Sequence, residues 1–149
     1  MHHLIRALLD VQSNAAEYTD FEEDQAFAEM NEKLDEHFGE HVPYRRFLEN
    51  LRSAVAASDK DAVAAMIDYP FKARIDGKAI TIRDADNLKS LYDSVFTDRV
   101  KQAISGQTYR DLSVNWQGVM IGEGEVWFCG MYSDVGHKQR TIRITAIND

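Results

Sequence analysis

Two histidines four residues apart, His37 and His41, form the arrangement in this chain that most resembles a metal site, because each directly follows a glutamate (Glu36 and Glu40). A zinc site would also need a third protein ligand and an ordered second shell. Gly39 lies between the two histidines and favours the end of a helix over the continuous turn that would align both rings. The sequence therefore favours a solvated helix end, with a metal site as the alternative, and predicts no metal or cofactor.

Tyrosines beside carboxylates suggest a second chemistry, proton transfer by a phenol and an acid. Tyr92 and Asp93 are neighbours on a predicted helix, so their side chains point about 100° apart and cannot both enter one pocket. Tyr92 could instead converge with Tyr69 or with Asp68. Aromatic residues in such places pack the core more often than they contact a ligand, and both interpretations stay open.

Two tryptophans and two arginines complete the residues that could hold a ligand. Trp116 and Trp127 are large rigid surfaces on which a flat ligand could stack, and either could be an ordinary sheet residue. Arg74 and Arg143 alternate with apolar neighbours, so they face away from the apolar side, where an arginine could hold a carboxylate or remain solvated. The candidate ligand-binding residues are Tyr69, Arg74, Tyr92, Trp116 and Trp127, and no catalytic residue is assigned.

Several familiar catalytic motifs are absent from the sequence. Gly122 and Gly124 lie inside a predicted hairpin and not ahead of a helix, so they do not form a phosphate-binding loop. There is no nucleophile elbow, and no serine has a histidine partner in its sequence context. The single cysteine, Cys129, excludes an internal disulfide and is predicted to be a small buried apolar residue.

The charge of this 149-residue chain is concentrated near its start. The net charge is −8, and residues 1–41 carry eleven acidic and two basic residues, whereas residues 42–149 are nearly neutral. Neither part has the basic stripe that binds nucleic acid. No apolar run is long enough for a membrane span and no signal peptide is recognisable, so a cytoplasmic protein is expected. The acidic segment could serve as a surface for a protein partner.

The first 70 residues show helical periodicity. Helices are predicted over residues 2–17 and from about residue 20 to Phe38, where Gly39 ends the second. The second carries an apolar stripe of Phe27, Met30, Leu34 and Phe38, which favours packing on the domain over a detachable partner-binding arm. A third helix starts at Pro43, and a fourth runs from Ser58 to a point before Pro70. The expected organisation is an acidic helical appendage, residues 1–41, on a domain formed by residues 42–149.

The rest of the chain predicts a curved antiparallel sheet over residues 71–147, interrupted by one helical stretch. Strands 71–75 and 79–83 flank Asp76-Gly77, a preferred hairpin dipeptide. A helix capped by Asp84 or Asp86 follows, and another begins at Thr97 and ends at Gly106. The segment YRDLSVNWQGVMIGEGEVWFCGMY then alternates with period two, placing Leu112, Val114 and Trp116 on one face.

One predicted strand is apolar on both faces, with Val126 and Phe128 on one side and Trp127 and Cys129 on the other. Such a strand needs a cover on each side. Helices can cover one side, and a second copy of the chain can cover the other. The sequence therefore predicts a homodimer through the convex face of the sheet.

The order of elements from Pro43 to Asp149, together with the segments DKDAVAAMIDYPF, SLYDSVF and GVMIGEGEVWF, resembles the nuclear transport factor two-like superfamily. This is the cone-shaped α+β fold of ketosteroid isomerase and scytalone dehydratase, and the segments look like a bacterial subgroup of it. The acidic N-terminal helices lie outside the resemblance. The superfold hosts enzymes, binding modules and scaffolds, so the resemblance implies a fold more than a function.

Enzymes of this fold tend to hold an Asp–His pair, or a tyrosine with a carboxylic acid, inside the cone. Four histidines of this chain lie before residue 42, and the fifth, His137, lies in a predicted strand connection. The favoured interpretation is thus a non-catalytic binding or scaffolding module for a small apolar ligand or a protein partner. The alternatives are an isomerase, dehydratase or cyclase that uses tyrosine and carboxylates, and an acidic inhibitor or immunity-type protein.

Overall fold

The computed structural model describes residue 25, residues 27–132 and residues 140–149, which form an α+β fold with one six-stranded sheet. The predicted helix over residues 2–17 lies outside the described residues. We label the helix over residues 27–38 α1. The elements after it are α2 (Val42–Ala56), α3 (Lys60–Ala64), β1 (Phe71–Ile75), β2 (Lys78–Ile82), α4 (Ala85–Ser90), α5 (Tyr92–Val95), α6 (Asp98–Gly106), a 3₁₀ turn (Tyr109–Asp111), β3 (Ser113–Asn115), β4 (Gly118–Ile121), β5 (Val126–Tyr132) and β6 (Arg140–Asn148).

The sheet is curved and open, with strand order β2-β1-β6-β5-β4-β3. It is mixed, so the prediction of a wholly antiparallel sheet is wrong. The first and last strands, β1 and β6, run parallel, with Ala73 opposite Ile147 and Arg74 opposite Asn148. A parallel pair needs a long connection. Here the connection from β1 to β6 contains all the intervening helices and strands. Local hydrophobic periodicity cannot predict a pairing between strands so far apart in the sequence.

The turns form where glycine-containing dipeptides predicted them. Asp76 and Gly77 both have positive φ, 55° and 79°, as the tight turn between β1 and β2 requires. At the turn between β4 and β5, Gly122 has φ of 63°, and a Cβ there would collide with the Glu125 carboxylate. That carboxylate instead accepts a hydrogen bond from the backbone of Glu123 at 2.6 Å. Glycine at position 122 therefore leaves room for the side chain that holds the turn.

Two helices, α4 and α6, start at the capping residues that the sequence predicts. Asp84 accepts from the backbone N–H of Asn87 at 2.8 Å and caps α4, and Thr97 caps α6. The fourth predicted helix differs, because Asp59 caps it and it ends at Ala64. Ser58 has φ of 54°, a left-handed conformation that lies outside the helix.

Strand β5 has the predicted alternation. Val126 and Phe128 are fully buried against the helices, and Trp127 and Cys129 on the other face are half-buried. Opposite them, Val119 pairs with Phe128 and Met120 with Trp127. Between β5 and β6 the register shifts at Trp127 and Phe128, a bulge that increases local twist.

Helix α1 packs into the same core as the sheet. Met30 and Leu34 are 1% and 0% exposed, and the ring of Phe38 stacks on Tyr44 at 4.9 Å. The Tyr109 hydroxyl donates to the Asn31 side-chain oxygen at 2.5 Å. The boundary predicted at residue 41 thus crosses a continuous hydrophobic core, and whether residues 1–41 are separable stays a prediction. In the described part of the chain, no helix is long and apolar enough to cross a membrane.

Candidate functional site

On the central strands of the sheet, the described residues of the concave face, where the fold resemblance would put a pocket, are covered by packed side chains. The inward residues of the central strands are 0% exposed: Val119, Ile121, Val126, Phe128 and Ile144. Helix α2 packs its aromatic residues onto them, and the ring centroid of Phe47 lies 4.8 Å from that of Phe128. These five side chains are therefore buried against one another and against the helices.

Tyr92, a sequence-predicted site residue, lies in this core. Its ring stacks on Phe96 at 4.9 Å, and its side chain is 1% exposed. Its hydroxyl has no hydrogen-bond partner among the described residues. Burial, with Asp93 and Asp59 nearby, raises its pKa. Tyr92 is therefore a packing residue with a polar atom that its surroundings leave unsatisfied.

Tyr69, the residue expected to converge with Tyr92, is committed to a structural contact. Its hydroxyl donates to the carbonyl of Ala64 at 2.7 Å, and its ring meets Phe71 edge-on at 6.3 Å. Burial, and then the negative charge of Asp84, raise its pKa to about 12. The phenol is thus a neutral hydrogen-bond donor at physiological pH.

The other predicted site residues lie on the outside of the fold. Trp116 is 82% exposed in the turn after β3, because the Asn115 side chain accepts from the Gln117 N–H at 2.8 Å and ends the strand. Trp127 is half-buried on the outer face, beside a shallow depression shared with Gln117, Thr145, Ala146 and Asn148. Arg74 is exposed on β1 and does not line that depression.

His37 and His41 point to different partners. The His37 Nδ1 atom lies 2.9 Å from the carbonyl of Lys33, and the His41 Nδ1 atom lies 2.9 Å from the Asp35 carboxylate. The described residues contain no group of three or more histidine, cysteine, aspartate or glutamate side chains arranged to hold a metal ion.

A cleft of about 390 Å³ lies among the helices, between α1, α2 and the 3₁₀ turn, and no described strand residue lines it. We call it the arginine cleft, and its lining residues are Phe27, Arg45, Leu48, Glu49, Arg52, Thr108, Tyr109 and Arg110. Among these, three are cationic and one is anionic. The cleft is therefore locally positive although the chain carries a net charge of −8.

Aromatic rings hold the central cation of the arginine cleft. The Arg45 guanidinium lies 4.2 Å from the ring centroid of Phe27 and 5.5 Å from that of Tyr109. These two rings meet edge-on at 5.4 Å, and the Tyr109 hydroxyl is anchored on Asn31. Burial raises the pKa of Tyr109 to about 12, against the lowering effect of Arg45. The ring pair thus gives Arg45 a fixed position through cation–π contact.

The remaining charged groups are less constrained. The Arg52 side chain donates to the Ser105 carbonyl at 3.1 Å, which uses one of its five N–H donors. Glu49 lies 3.6 Å from Arg45, and both side chains are well exposed, so solvent screens this pair and its contribution is small. Arg110 is exposed at the rim. Arg52 keeps N–H donors that no described residue uses.

The arginine cleft continues along α2. A neighbouring depression of about 270 Å³ shares Arg45 and Glu49 and adds Arg46, His41 and Val42. Val42 is 46% exposed, so this end offers an apolar surface next to a fourth arginine. The sequence contains one signal for this face: Arg45, Glu49 and Arg52 recur at i, i+4 and i+7, which places them on one side of a helix.

Comparison with known proteins finds no matching family model, no matching curated protein and no matching solved structure.

Proposed function

We propose that this protein is a non-catalytic binding module with a nuclear transport factor two-like cone, and that it holds its ligand in the arginine cleft. The ligand is a small molecule with an apolar body. The element order from Pro43 onward and the curved sheet packed against helices are compatible with that fold.

One observation supports this proposal: among the described residues, the concave face that would hold a substrate is covered by buried side chains. Catalysis in this fold needs substrate and ionisable groups together in a space shielded from water. Here the space is occupied by Val126, Phe128 and Ile144 from the sheet and by Tyr44 and Phe47 from α2. The arginine cleft, in contrast, has a volume within the range of about 300–1,000 Å³ typical of small-molecule sites.

We also propose that two copies associate through the outer face of the sheet. Trp127, Met120 and Cys129 lie half-buried on that face, and a partner copy would complete their burial. Sedimentation should then give twice the chain mass of 17.0 kDa. A monomeric mass at micromolar concentration would contradict the dimer and leave the binding site untouched, because the arginine cleft lies on the helical side.

A fragment screen followed by amide NMR tests the binding function. Bound fragments should shift the amides of residues 45–52 and 108–110 and should be recovered chemically unchanged. Fragments that shift the inward strand residues Val119 to Ile121 and Val126 to Phe128, or that are converted to a product, would contradict the proposal and favour the enzyme alternative.

A further inference from the structure

We propose that the arginine cleft selects small organic anions, in which a carboxylate or phosphate is carried on a flat apolar body. This inference rests on the binding function proposed above and names the ligand class of that same site. It concerns residues that sequence reasoning did not select, namely Arg45, Arg52 and Arg110.

The charge of the lining favours an anion. Three guanidinium groups and one carboxylate surround the cleft, and the carboxylate of Glu49 forms only a solvent-exposed pair with Arg45. A guanidinium presents paired N–H donors that match the two oxygens of a carboxylate or phosphate. Arg52 uses its described hydrogen bond on the Ser105 carbonyl, which orients the side chain and leaves other N–H donors for a ligand.

The walls of the cleft favour a flat apolar body on that anion. Phe27, Leu48 and Tyr109 line the same space and form its apolar floor. Leu48 and Tyr109 are 1% and 7% exposed, so the half-buried ring of Phe27 offers a ligand more contact area than either of them. The half-buried ring of Phe27 keeps some exposed aromatic surface beside the guanidinium of Arg45. A planar ligand can contact this surface while its anionic group reaches the arginines.

The charge of the whole chain favours a small ligand over a polyanion. With a net charge of −8, the chain repels nucleic acid and anionic membranes at distances up to the Debye length, about 8 Å at physiological ionic strength. A small anion enters the cleft and experiences mainly the local arginines. The arginines line two adjoining depressions of about 390 and 270 Å³, which are spaces of a size that suits a small anion.

Isothermal titration with three probes separates the parts of this proposal. The probes are phenyl phosphate, inorganic phosphate and neutral benzyl alcohol, at about pH 7.5, where a phosphate monoester carries nearly two negative charges. Phenyl phosphate should bind at least about tenfold more tightly than either of the others, because only it uses both the arginines and the apolar floor. Added NaCl should weaken its binding.

Three arginine variants test whether phenyl phosphate binds in the arginine cleft. Arg52→Gln and Arg110→Gln should each weaken phenyl phosphate binding by about tenfold, the loss expected for one charge-assisted hydrogen bond. Arg74→Gln removes an exposed arginine on β1 and should change binding less than about twofold. Melting temperatures of Arg110→Gln and Arg74→Gln should agree with the parent protein, since both side chains are exposed. Arg52→Gln also removes the exposed hydrogen bond to Ser105 and should lower the melting temperature slightly.

If inorganic phosphate binds as tightly as phenyl phosphate, the apolar floor has no role in binding. If Arg74→Gln weakens binding as much as Arg52→Gln and Arg110→Gln do, the ligand does not bind in the arginine cleft. Tighter binding of benzyl alcohol than of phenyl phosphate would overturn anion selection. That last result would leave the binding function intact if the amide shifts still map to residues 45–52 and 108–110. Shifts at the inward strand residues would instead contradict both proposals.

Discussion

The buried tyrosines of this protein show how one residue type serves different purposes. Tyr109 and Tyr69 each donate a hydrogen bond, to Asn31 and to the Ala64 carbonyl. Tyr92 is at least as buried, yet its hydroxyl has no described partner. An unpaired buried hydroxyl lowers stability, whereas a paired one contributes modestly to it.

Replacing Tyr92 by phenylalanine should therefore raise the free energy of unfolding by about 1 kcal/mol, because the variant no longer buries an unpaired hydroxyl. The matched change Tyr109→Phe should lower it by about 1 kcal/mol, because it leaves the Asn31 oxygen without its donor. Urea denaturation of both variants measures the difference. Equal destabilisation by the two changes would show that the Tyr92 hydroxyl is paired in solution.

The raised pKa values of Tyr69 and Tyr109 predict a loss of stability at alkaline pH. Both shift from the ordinary value of 10.0 to about 12. The unfolded chain releases these protons first, so the stabilisation is complete below pH 10 and is lost as the pH rises towards 12. The double variant Tyr69→Phe/Tyr109→Phe should lose less stability over that interval than the parent protein. Parallel pH profiles from chemical denaturation would contradict these shifts.

At the scale of elements, the local signals predicted the turns and caps well. Asp76-Gly77, Asp84 and Thr97 act as expected, because a turn or a cap depends on a few adjacent residues. The strand faces around Phe128 also followed from period-two alternation. Alternation does not indicate where a strand ends. It placed Trp116 on a strand, whereas β3 ends at Asn115, whose side chain accepts a hydrogen bond from the Gln117 N–H.

Contacts distant in sequence could not be predicted in the same way. The parallel pairing of β1 with β6 joins residues about 75 positions apart, and the arginine cleft joins α1, α2 and the 3₁₀ turn. The helical spacing of Arg45 and Arg52 could have indicated a charged face. The approach of Arg110 and the aromatic ring of Tyr109 depends on tertiary packing, which no local pattern specifies.

Helix α1 offers a test of the acidic N-terminal region as part of the core. Leu34→Ala should lower the free energy of unfolding by about 3 kcal/mol, because it leaves a cavity at a residue that is 0% exposed. Its exposed neighbour Lys33 gives the control, and Lys33→Ala should change stability by less than about 0.5 kcal/mol. Similar small effects of both variants in urea denaturation would indicate that α1 is an independent arm.

At the scale of the whole molecule, the sheet and the helical layer have different roles. Among the described residues of the central strands, the inner face of the sheet is buried and the outer face is half-buried. The helical layer carries the arginine cleft, which concentrates positive charge on an otherwise acidic chain. Under the proposed function, the buried core supports the helices that line the arginine cleft and does not itself hold the ligand.

Methyl NMR under xenon pressure tests the central claim, that the concave face is filled. Xenon binds apolar cavities that exclude water. With the inward residues 0% exposed, the methyl signals of Val119, Ile121, Val126 and Ile144 should show only small shifts that are linear in xenon pressure. Saturable shifts at these methyl groups would reveal an open apolar pocket inside the cone and would contradict the account.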